Sequence, residues 1–339
     1  MSKTRITVLA LGGTIAMTQS GQGGVVPTLT GEALVAAVPG LADVADIDAS
    51  SFRQLPGAHL QYDDLEALAN AIQMACANGS QGVVITQGTD TIEETAFALD
   101  CLLQLDAPVV VTGAMRNPTV PGADGPANLL AAVQVAASHE ARGLGCLVAM
   151  NDEIHAARFV RKMHTSSPSA FASPQAGPIG WVREGTVRIA VQPKAMPPMQ
   201  YEGSSVSRRV ALVTVALGDD GALITALQPN GFDGIVVEAT GGGHVPPGVA
   251  EALENAAKWI PVVLASRTGA GEVLAQTYGF AGGEIDLQRR GLIRSGWLDG
   301  LKAKILLTLL LRQGCTDREA IARAFEPWGG GMAKNGGSD

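Results

Sequence analysis

Short apolar runs alternate with helical patterns along this chain, and this alternation constrains its fold more than any other feature. The runs have the length and β-branched content of buried strands, and they lie at 5–11, 83–86, 108–112, 144–149, 210–216, 234–239 and 261–265. Helical patterns occupy residues 63–77, 91–104, 124–138, 247–258, 300–313 and 317–325. Such alternation is typical of a parallel sheet covered by helices. We therefore expect an α/β protein with two open, mainly parallel sheets, the larger one N-terminal.

A stretch without periodicity interrupts this pattern. Residues 181–191 read as a hairpin that turns at Glu184-Gly185, and residues 192–209 contain three prolines and no helical or strand period. The length of 339 residues is also sufficient for two domains. The sequence predicts an N-terminal domain at 1–192, a linker at 193–209, a C-terminal domain at 210–328 and a disordered tail at 329–339.

Charge and cysteine usage exclude several classes of partner. The formal net charge is −8 and no basic block occurs, which argues against binding to nucleic acid or to an anionic membrane. No apolar run reaches the ~18 residues of a membrane span, and the apolar start of the chain reads as a first strand rather than a signal peptide. The four cysteines form no CxxC pair, as expected of free thiols in a reducing compartment. We expect a cytoplasmic protein.

Polar side chains crowd the turn between the strand at 83–86 and the helix that follows it. One cap is enough for a helix, and Thr91 with Glu94 fits a capping box. Thr89 and Asp90 are then unexplained, and they lie where a parallel strand ends, which is where open α/β sheets bind ligands. The clustering favours a functional site at Thr89 and Asp90 over a chance arrangement.

The turn after the first strand reads Leu11-Gly12-Gly13-Thr14 and is expected at the same edge of the sheet. It lacks the GxGxxG of a dinucleotide site and the GK[ST] of a P-loop. By itself this turn fits a buried structural threonine as well as a functional one.

A hydrolase built on this sequence would have to work without histidine. The five histidines have no metal-ligand spacing, and no GxSxG elbow occurs, so we expect no metal and no cofactor. A hydroxyl is a weak nucleophile without a base, and a lysine held neutral by burial can replace histidine in that role. Lys162, in the segment 157–171, is available, although spacing alone fits a surface lysine better.

The two turns together resemble the signatures of the bacterial-type L-asparaginase family, roughly TGGTIA and HGTDTxEETA. Here they read "LGGTIA" at 11–16 and "QGTDTIEETA" within 83–100, and the resemblance continues through 113–133, 150–171 and 177–182 and, more weakly, to the C-terminus. It implies a flavodoxin-like N-terminal domain and a cofactor-free amidohydrolase that converts L-asparagine to L-aspartate and ammonia. It also implies a homo-oligomer, usually a tetramer built as a dimer of dimers.

The resemblance assigns roles to individual residues. Thr14 corresponds to the nucleophile, and Thr89, Asp90 and Lys162 correspond to a second catalytic group beside it. Gly88, Thr89 and Asp90 would line the substrate pocket, with Asp90 binding the α-amino group.

Three positions depart from the family pattern. Gly57 and Ala58 stand where the family has a Ser-Gln pair that binds substrate, so only backbone groups can serve there. Gln87 replaces the family's histidine. The loop 18–31 lacks the family's tyrosine, and the first tyrosine in the chain is Tyr62.

One glutamate would act across subunits. The segment 282–296 aligns with a family segment whose glutamate reaches the site of a neighbouring subunit, and this glutamate corresponds to Glu284.

Other functions remain compatible with the sequence. One is a glutaminase-asparaginase or an amidase on another small amide, because Asn and Gln differ by one methylene, worth only ~1–3 kcal/mol in a fitted pocket. A non-catalytic amino-acid-binding sensor would keep the fold and Asp90 without turnover. The glutaminase subunit of a tRNA-dependent amidotransferase shares the family's fold, but it carries an additional N-terminal domain.

Overall fold

A computed structural model describes residues 3–332 of the chain, except 20–24, 28–29, 195, 197–198 and 200–205. The chain divides into two compact units, Met1–Gln200 and Tyr201–Asp339, so the division falls inside the predicted linker. Each unit is an α/β structure with its own sheet, which confirms the predicted fold class.

The first unit contains most of the strands. They are β1 (Thr4–Ala10), β2 (Met17–Gln19), β3 (Val25–Pro27), β4 (Ala45–Ser51), β5 (Gly82–Thr86), β6 (Val109–Thr112), β7 (Cys146–Met150), β8 (Glu153–Ala156), β9 (Arg161–Lys162), β10 (Phe171–Ala172), β11 (Gly180–Arg183) and β12 (Thr186–Ile189). The helices are α1 (Gly31–Ala36), α2 (Leu41–Val44), α3 (Tyr62–Ala77), α4 (Ile92–Leu102) and α5 (Gly125–Ala137). Short 3₁₀ turns lie at Thr14–Ala16, Gly57–His59, Thr89–Thr91 and His139–Ala141.

Eight of these strands form one sheet in the order β12-β11-β8-β7-β6-β5-β1-β4. The five strands from β7 to β4 are parallel, and β8, β11 and β12 extend the sheet antiparallel. The chain leaves β1 toward β4 and then crosses to β5 on the other side of β1, which is the flavodoxin-like order. Such a reversal opens a crevice at the carboxyl ends of β1 and β5, where ligands of this fold class bind.

Local sequence explains several of these elements. Every residue of β5 and β6 is buried, as expected for central strands covered on both faces. Glu184 and Gly185 turn the β11–β12 hairpin with φ values of 50° and 72°, the backbone of a two-residue turn whose central residues both have positive φ.

The predicted helix cap at Thr91 is wrong, and Asp124, at a second N-cap position, behaves in the same way. Thr91 lies at the N-cap of α4 and Asp124 at that of α5, yet neither side chain makes a capping hydrogen bond. The Thr91 hydroxyl donates to the carbonyl of Gly57, and the Asp124 carboxylate accepts from the backbone N–H groups of Met115 and Arg116. Each side chain therefore stabilises a neighbouring loop and does not cap its helix.

The second unit contains a four-stranded parallel sheet in the order β13-β14-β15-β16. Its strands are β13 (Val210–Thr214), β14 (Gly234–Ala239), β15 (Val262–Ser266) and β16 (Ile293–Arg294). Its helices are α6 (Ala222–Leu227), α7 (Pro247–Ala257), α8 (Glu284–Arg289), α9 (Gly300–Arg312) and α10 (Arg318–Phe325), with 3₁₀ turns at Gln228–Asn230 and Glu326–Trp328.

The start of the predicted tail differs from the disorder expected of it. Arg294 and Gly331 exchange backbone hydrogen bonds of 3.0 and 2.8 Å, which ties residues 329–331 to the second unit. Residues 333–339 lie outside the described residues. Among the helices that the structure describes, none has the length and apolarity needed to cross a membrane.

Candidate active site

The turns that follow β1 and β5 touch each other through glycines. Gly13 has a φ of 83°, and a Cβ added there would overlap the backbone of Gly88. Leu11 also donates its N–H to the carbonyl of Thr86 at 2.8 Å, so the two strand ends are joined directly. This contact places half-buried Thr14, the first residue of its 3₁₀ turn, beside the turn Thr89–Thr91.

The turn Gly57–His59 packs against the same place. A Cβ added at Gly57 would lie 2.9 Å from the Thr91 Oγ1 and 3.0 Å from the carbonyl oxygen of Gly88. Gly13, Gly57 and Gly88 therefore allow three backbone segments to approach more closely than any side chain would permit. Ala58, beside Gly57, is exposed.

Lys162 joins this group from a distant part of the chain. Its Nζ lies 2.9 Å from the Oγ1 of Thr89 and 2.6 Å from the Oδ1 of Asp90. The Lys162 side chain is only 13% exposed, which excludes the interpretation as a surface lysine, whereas the Asp90 side chain is 74% exposed. A buried hydroxyl, an amine and an accessible carboxylate are thus hydrogen-bonded in one cluster.

Two contacts fix the backbone that carries Lys162. Strand β9 pairs antiparallel with β10, with Lys162 opposite Phe171. The backbone N–H of Lys162 donates to the Oε1 of Glu93, a buried residue in the first turn of α4. Glu93 was not among the predicted site residues, because Glu94 beside it and Asp100 in the same helix leave it no distinctive signal in the sequence.

A serine and a histidine also meet in the first unit, but away from any surface. The Nδ1 of His155 lies 3.0 Å from the Oγ of Ser173, and its Nε2 lies 3.4 Å from the carboxylate of Glu153. His155 is fully buried and Ser173 is only 5% exposed, so no substrate can reach them. Burial lowers the pKa of His155 to about 4. This trio is a structural feature of the sheet.

Glu284, the residue expected to act across subunits, has hydrogen-bond partners within its own unit. The residue is fully buried in the second unit, at the start of α8. Its Oε1 accepts the backbone N–H groups of Thr277 and Tyr278, both at 2.7 Å, and its Oε2 lies 3.2 Å from the Nε2 of His244. Burial opposes ionisation, but these hydrogen bonds outweigh it and hold the pKa of Glu284 below its usual value. The carboxylate stabilises the loop before α8, and its contact with the site of a neighbouring subunit stays a prediction.

The chemistry available at this site comes from hydroxyl, amine and carboxylate groups. Over the described ranges, His, Cys, Asp and Glu side chains form no group of three or more that could hold a metal ion. The cluster of Thr89, Asp90 and Lys162 can instead orient a hydroxyl and stabilise charge on oxygen, which is what nucleophilic catalysis by a hydroxyl requires.

Fold and site together define an α/β protein with a histidine-free hydroxyl site at the switch point of its larger sheet. Two family models match the chain: asparaginase, N-terminal, over residues 5–195, and glutaminase/asparaginase C-terminal domain over residues 209–325. The chain therefore belongs to the bacterial-type L-asparaginase family.

Individual relatives match over nearly their whole length. A probable L-asparaginase of Deinococcus radiodurans is 38% identical, with 96% of this chain and 98% of the relative covered. A probable periplasmic L-asparaginase of Haemophilus influenzae is 36% identical, with 95% and 92% covered. The crystal structure of a probable cytoplasmic L-asparaginase from Campylobacter jejuni is similar with a TM-score of 0.85 at 33% identity, covering 96% of this chain and 99% of that one.

Proposed function

We propose that this protein is an L-asparaginase, an amidohydrolase that converts L-asparagine to L-aspartate and ammonia. The observation that carries the proposal is the hydrogen-bonded cluster of Thr89, Asp90 and Lys162 beside Thr14, in a chain that belongs to the asparaginase family. A lysine with a purely structural role would not require a threonine hydroxyl and an exposed carboxylate as hydrogen-bond partners at the switch point of the sheet.

In the proposed mechanism, the Oγ1 of Thr14 attacks the side-chain amide carbon. The tetrahedral intermediate expels ammonia, and water hydrolyses the resulting threonyl ester to release L-aspartate. Backbone N–H groups of the two turns hold the oxyanion, a contribution of about 3–4 kcal/mol per well-placed donor. Lys162 lowers the barrier to deprotonating Thr89 or the attacking water.

Substrate binding uses the accessible side of the same cluster. Asp90 binds the α-amino group, since its carboxylate is exposed while Lys162 occupies only its Oδ1. Gly88 and Thr89 line the pocket, and Gly57 and Ala58 contribute backbone N–H groups in place of the family's Ser-Gln pair.

A glutaminase-asparaginase, or an amidase on another small amide, is the second candidate. It is favoured by the absence of polar side chains at Gly57 and Ala58, because backbone contacts discriminate little between amides that differ by one methylene. The amino-acid sensor is less well supported, because a sensor has no use for Lys162 bonded to Thr89.

The proposal extends to assembly and location. By its family, the protein acts as a homo-oligomer, a tetramer built as a dimer of dimers, and in the cytoplasm. The Campylobacter jejuni relative is described as cytoplasmic, whereas the Haemophilus influenzae relative is described as periplasmic.

Ammonia release from a panel of amides tests the function. With L-Asn, D-Asn, L-Gln and β-amide analogues of L-Asp, we expect the highest kcat/KM for L-Asn. Thr14→Ala is expected to remain folded and to lose about 10³-fold or more in kcat, because no other group replaces the nucleophile. Binding of L-Asn without ammonia release would identify a sensor, and preference for L-Gln would identify a glutaminase.

A further inference from the structure

We propose that Thr91 is a positioning residue: its hydroxyl fixes the peptide between Gly57 and Ala58 and so sets the affinity for the α-carboxylate of the substrate. This inference deepens the proposed function and rests on it. It assigns a role to a side chain that the sequence analysis treated as a helix cap.

The hydrogen bonds of Thr91 give its hydroxyl one direction. The amide Nε2 of Gln87 donates to the Oγ1 of Thr91 at 3.3 Å, and that Oγ1 donates to the carbonyl oxygen of Gly57 at 3.1 Å. A hydroxyl carries a single proton. With the Gln87 amide on its acceptor side, the Thr91 proton is directed to Gly57. Gln87 is fully buried, so this donor is held in place.

The Gly57 carbonyl transmits that constraint to Ala58. The same oxygen also accepts the N–H of Leu60 at 3.2 Å, so two donors hold it. The carbonyl of Gly57 and the N–H of Ala58 belong to one planar trans peptide and point in opposite directions. Holding the oxygen against Thr91 therefore fixes the direction of the Ala58 N–H.

The packing around Gly57 explains why a backbone N–H group, and not a side chain, binds the carboxylate here. A Cβ at Gly57 would contact the Thr91 Oγ1 at 2.9 Å and the Gly88 carbonyl oxygen at 3.0 Å, so a serine hydroxyl has no space there unless the turn moves. Ala58 has no polar side chain. A carboxylate bound at the Gly57–Ala58 peptide is therefore held by backbone N–H groups, whose aim depends on Thr91.

Thr91 gives up a local interaction to make this contact. It lies at the N-cap of α4, where a threonine hydroxyl usually accepts a backbone N–H of the first turn, and it makes no such bond. The hydroxyl instead joins two segments that are 34 residues apart in the chain.

Thr91→Val removes the hydroxyl and keeps the shape of the side chain. We expect KM for L-Asn to rise about tenfold, the effect of losing one well-placed hydrogen bond, while kcat changes by less than about twofold. Thr91→Ser, which keeps the hydroxyl, should restore KM. The matched control is Thr225→Val, which removes a hydroxyl that donates to the Gly221 carbonyl in the second unit and should leave KM unchanged.

Two truncated substrates locate the effect. Succinamic acid keeps the carboxylate and lacks the α-amine, and Thr91→Val should raise KM for it as much as for L-Asn. 3-Aminopropanamide lacks the carboxylate, and its KM should not respond to Thr91→Val. An equal rise for both compounds, a fall in kcat with unchanged KM, or no effect on KM would overturn the inference.

A binding measurement separates this inference from the proposed function. Calorimetric titration with L-aspartate should give a Kd about tenfold weaker for Thr91→Val than for wild type, and an unchanged Kd would overturn the inference. Wild-type protein that binds L-aspartate but releases no ammonia from L-Asn would overturn only the proposed function. Thr91→Ala carries the same expectation and serves if the valine variant does not fold.

Discussion

Lys162 links two groups with different surroundings, the buried hydroxyl of Thr89 and the exposed carboxylate of Asp90. Lys162 orients the Thr89 hydroxyl from inside the protein. The exposed part of the Asp90 carboxylate can bind a cation such as an α-amine. One side chain thereby connects the proposed chemical step to the proposed recognition of the substrate.

Removing the Lys162 amine tests that connection. Lys162→Met keeps most of the side-chain volume and leaves Thr89 without its partner, and we expect kcat for L-Asn to fall by about 10²-fold or more, the usual cost of losing a proton-transfer group. Steady-state ammonia release with a thermal melt separates activity from folding. Lys258→Met, at an exposed lysine that bonds Asn255, is the matched control and should behave as wild type. Normal kinetics in Lys162→Met would restore the interpretation as a structural lysine.

The residues of the site differ in how well the sequence predicts them. Thr89 and Asp90 follow a central parallel strand, and their position and clustering are enough to propose them. Thr14 follows the adjacent strand, but its turn fits a structural threonine equally well without the resemblance. Lys162 lies 72 and 73 residues from its partners on a two-residue strand, and only the resemblance pointed to it.

The predicted role of Glu284 rests on the alignment alone. Alignment of one segment does not show that the backbone N–H groups of Thr277 and Tyr278 already occupy its carboxylate.

At the scale of elements, strand β8 carries a fully buried histidine, His155, inside the large sheet. His155 has an ordinary pKa of 6.5, which burial lowers to about 4 in the folded protein. Between these values the unfolded chain binds a proton that the folded chain does not bind, so stability falls as the pH falls. The contribution of neutral His155 to the free energy of unfolding is fully present above pH 6.5 and is lost toward pH 4. The complete pKa shift corresponds to about 3 kcal/mol.

Substituting His155 should flatten this pH dependence. Urea midpoints of wild type are expected to fall between pH 7.5 and pH 4.5, and His155→Gln should lose less over this range, because glutamine has no proton to gain. His139→Gln, at an exposed histidine, is the matched control and should keep the wild-type slope. Parallel slopes for wild type and His155→Gln would show that His155 is not the group responsible.

The elements themselves were predicted unevenly. Buried strands such as β5 and β6 are short apolar runs, and the sequence identified them. Strand β4 was missed because it is an edge strand in which apolar residues alternate with exposed Asp46 and Asp48. The cap at Thr91 was mispredicted because local spacing does not show that a distant loop competes for the same side chain.

At the scale of the whole molecule, the alternation of strands and helices was sufficient to predict the fold class. The order of the strands, with β1 between β4 and β5, was expected only through the resemblance to the asparaginase family, because crossover connections leave no periodic signal. The cluster of Thr89, Asp90 and Lys162 and its neighbour Thr14 belong to the first unit, and Glu284 is buried within the second. The homo-oligomer remains a prediction from the family.

Mapping the acyl-enzyme tests the central claim most directly, because the proposed mechanism requires an ester on one particular threonine. Trypsin cleavage after Arg5, Arg53 and Arg116 places Thr14 in the peptide 6–53 and Thr89 in the peptide 54–116, with no other lysine or arginine in either. Enzyme turning over saturating L-Asn is quenched in acid, digested and analysed by mass spectrometry. We predict an aspartyl ester on the peptide 6–53 that is absent from Thr14→Ala. An aspartyl ester on the peptide 54–116 instead, retained in Thr14→Ala, would contradict Thr14 as the nucleophile and the mechanism built on it.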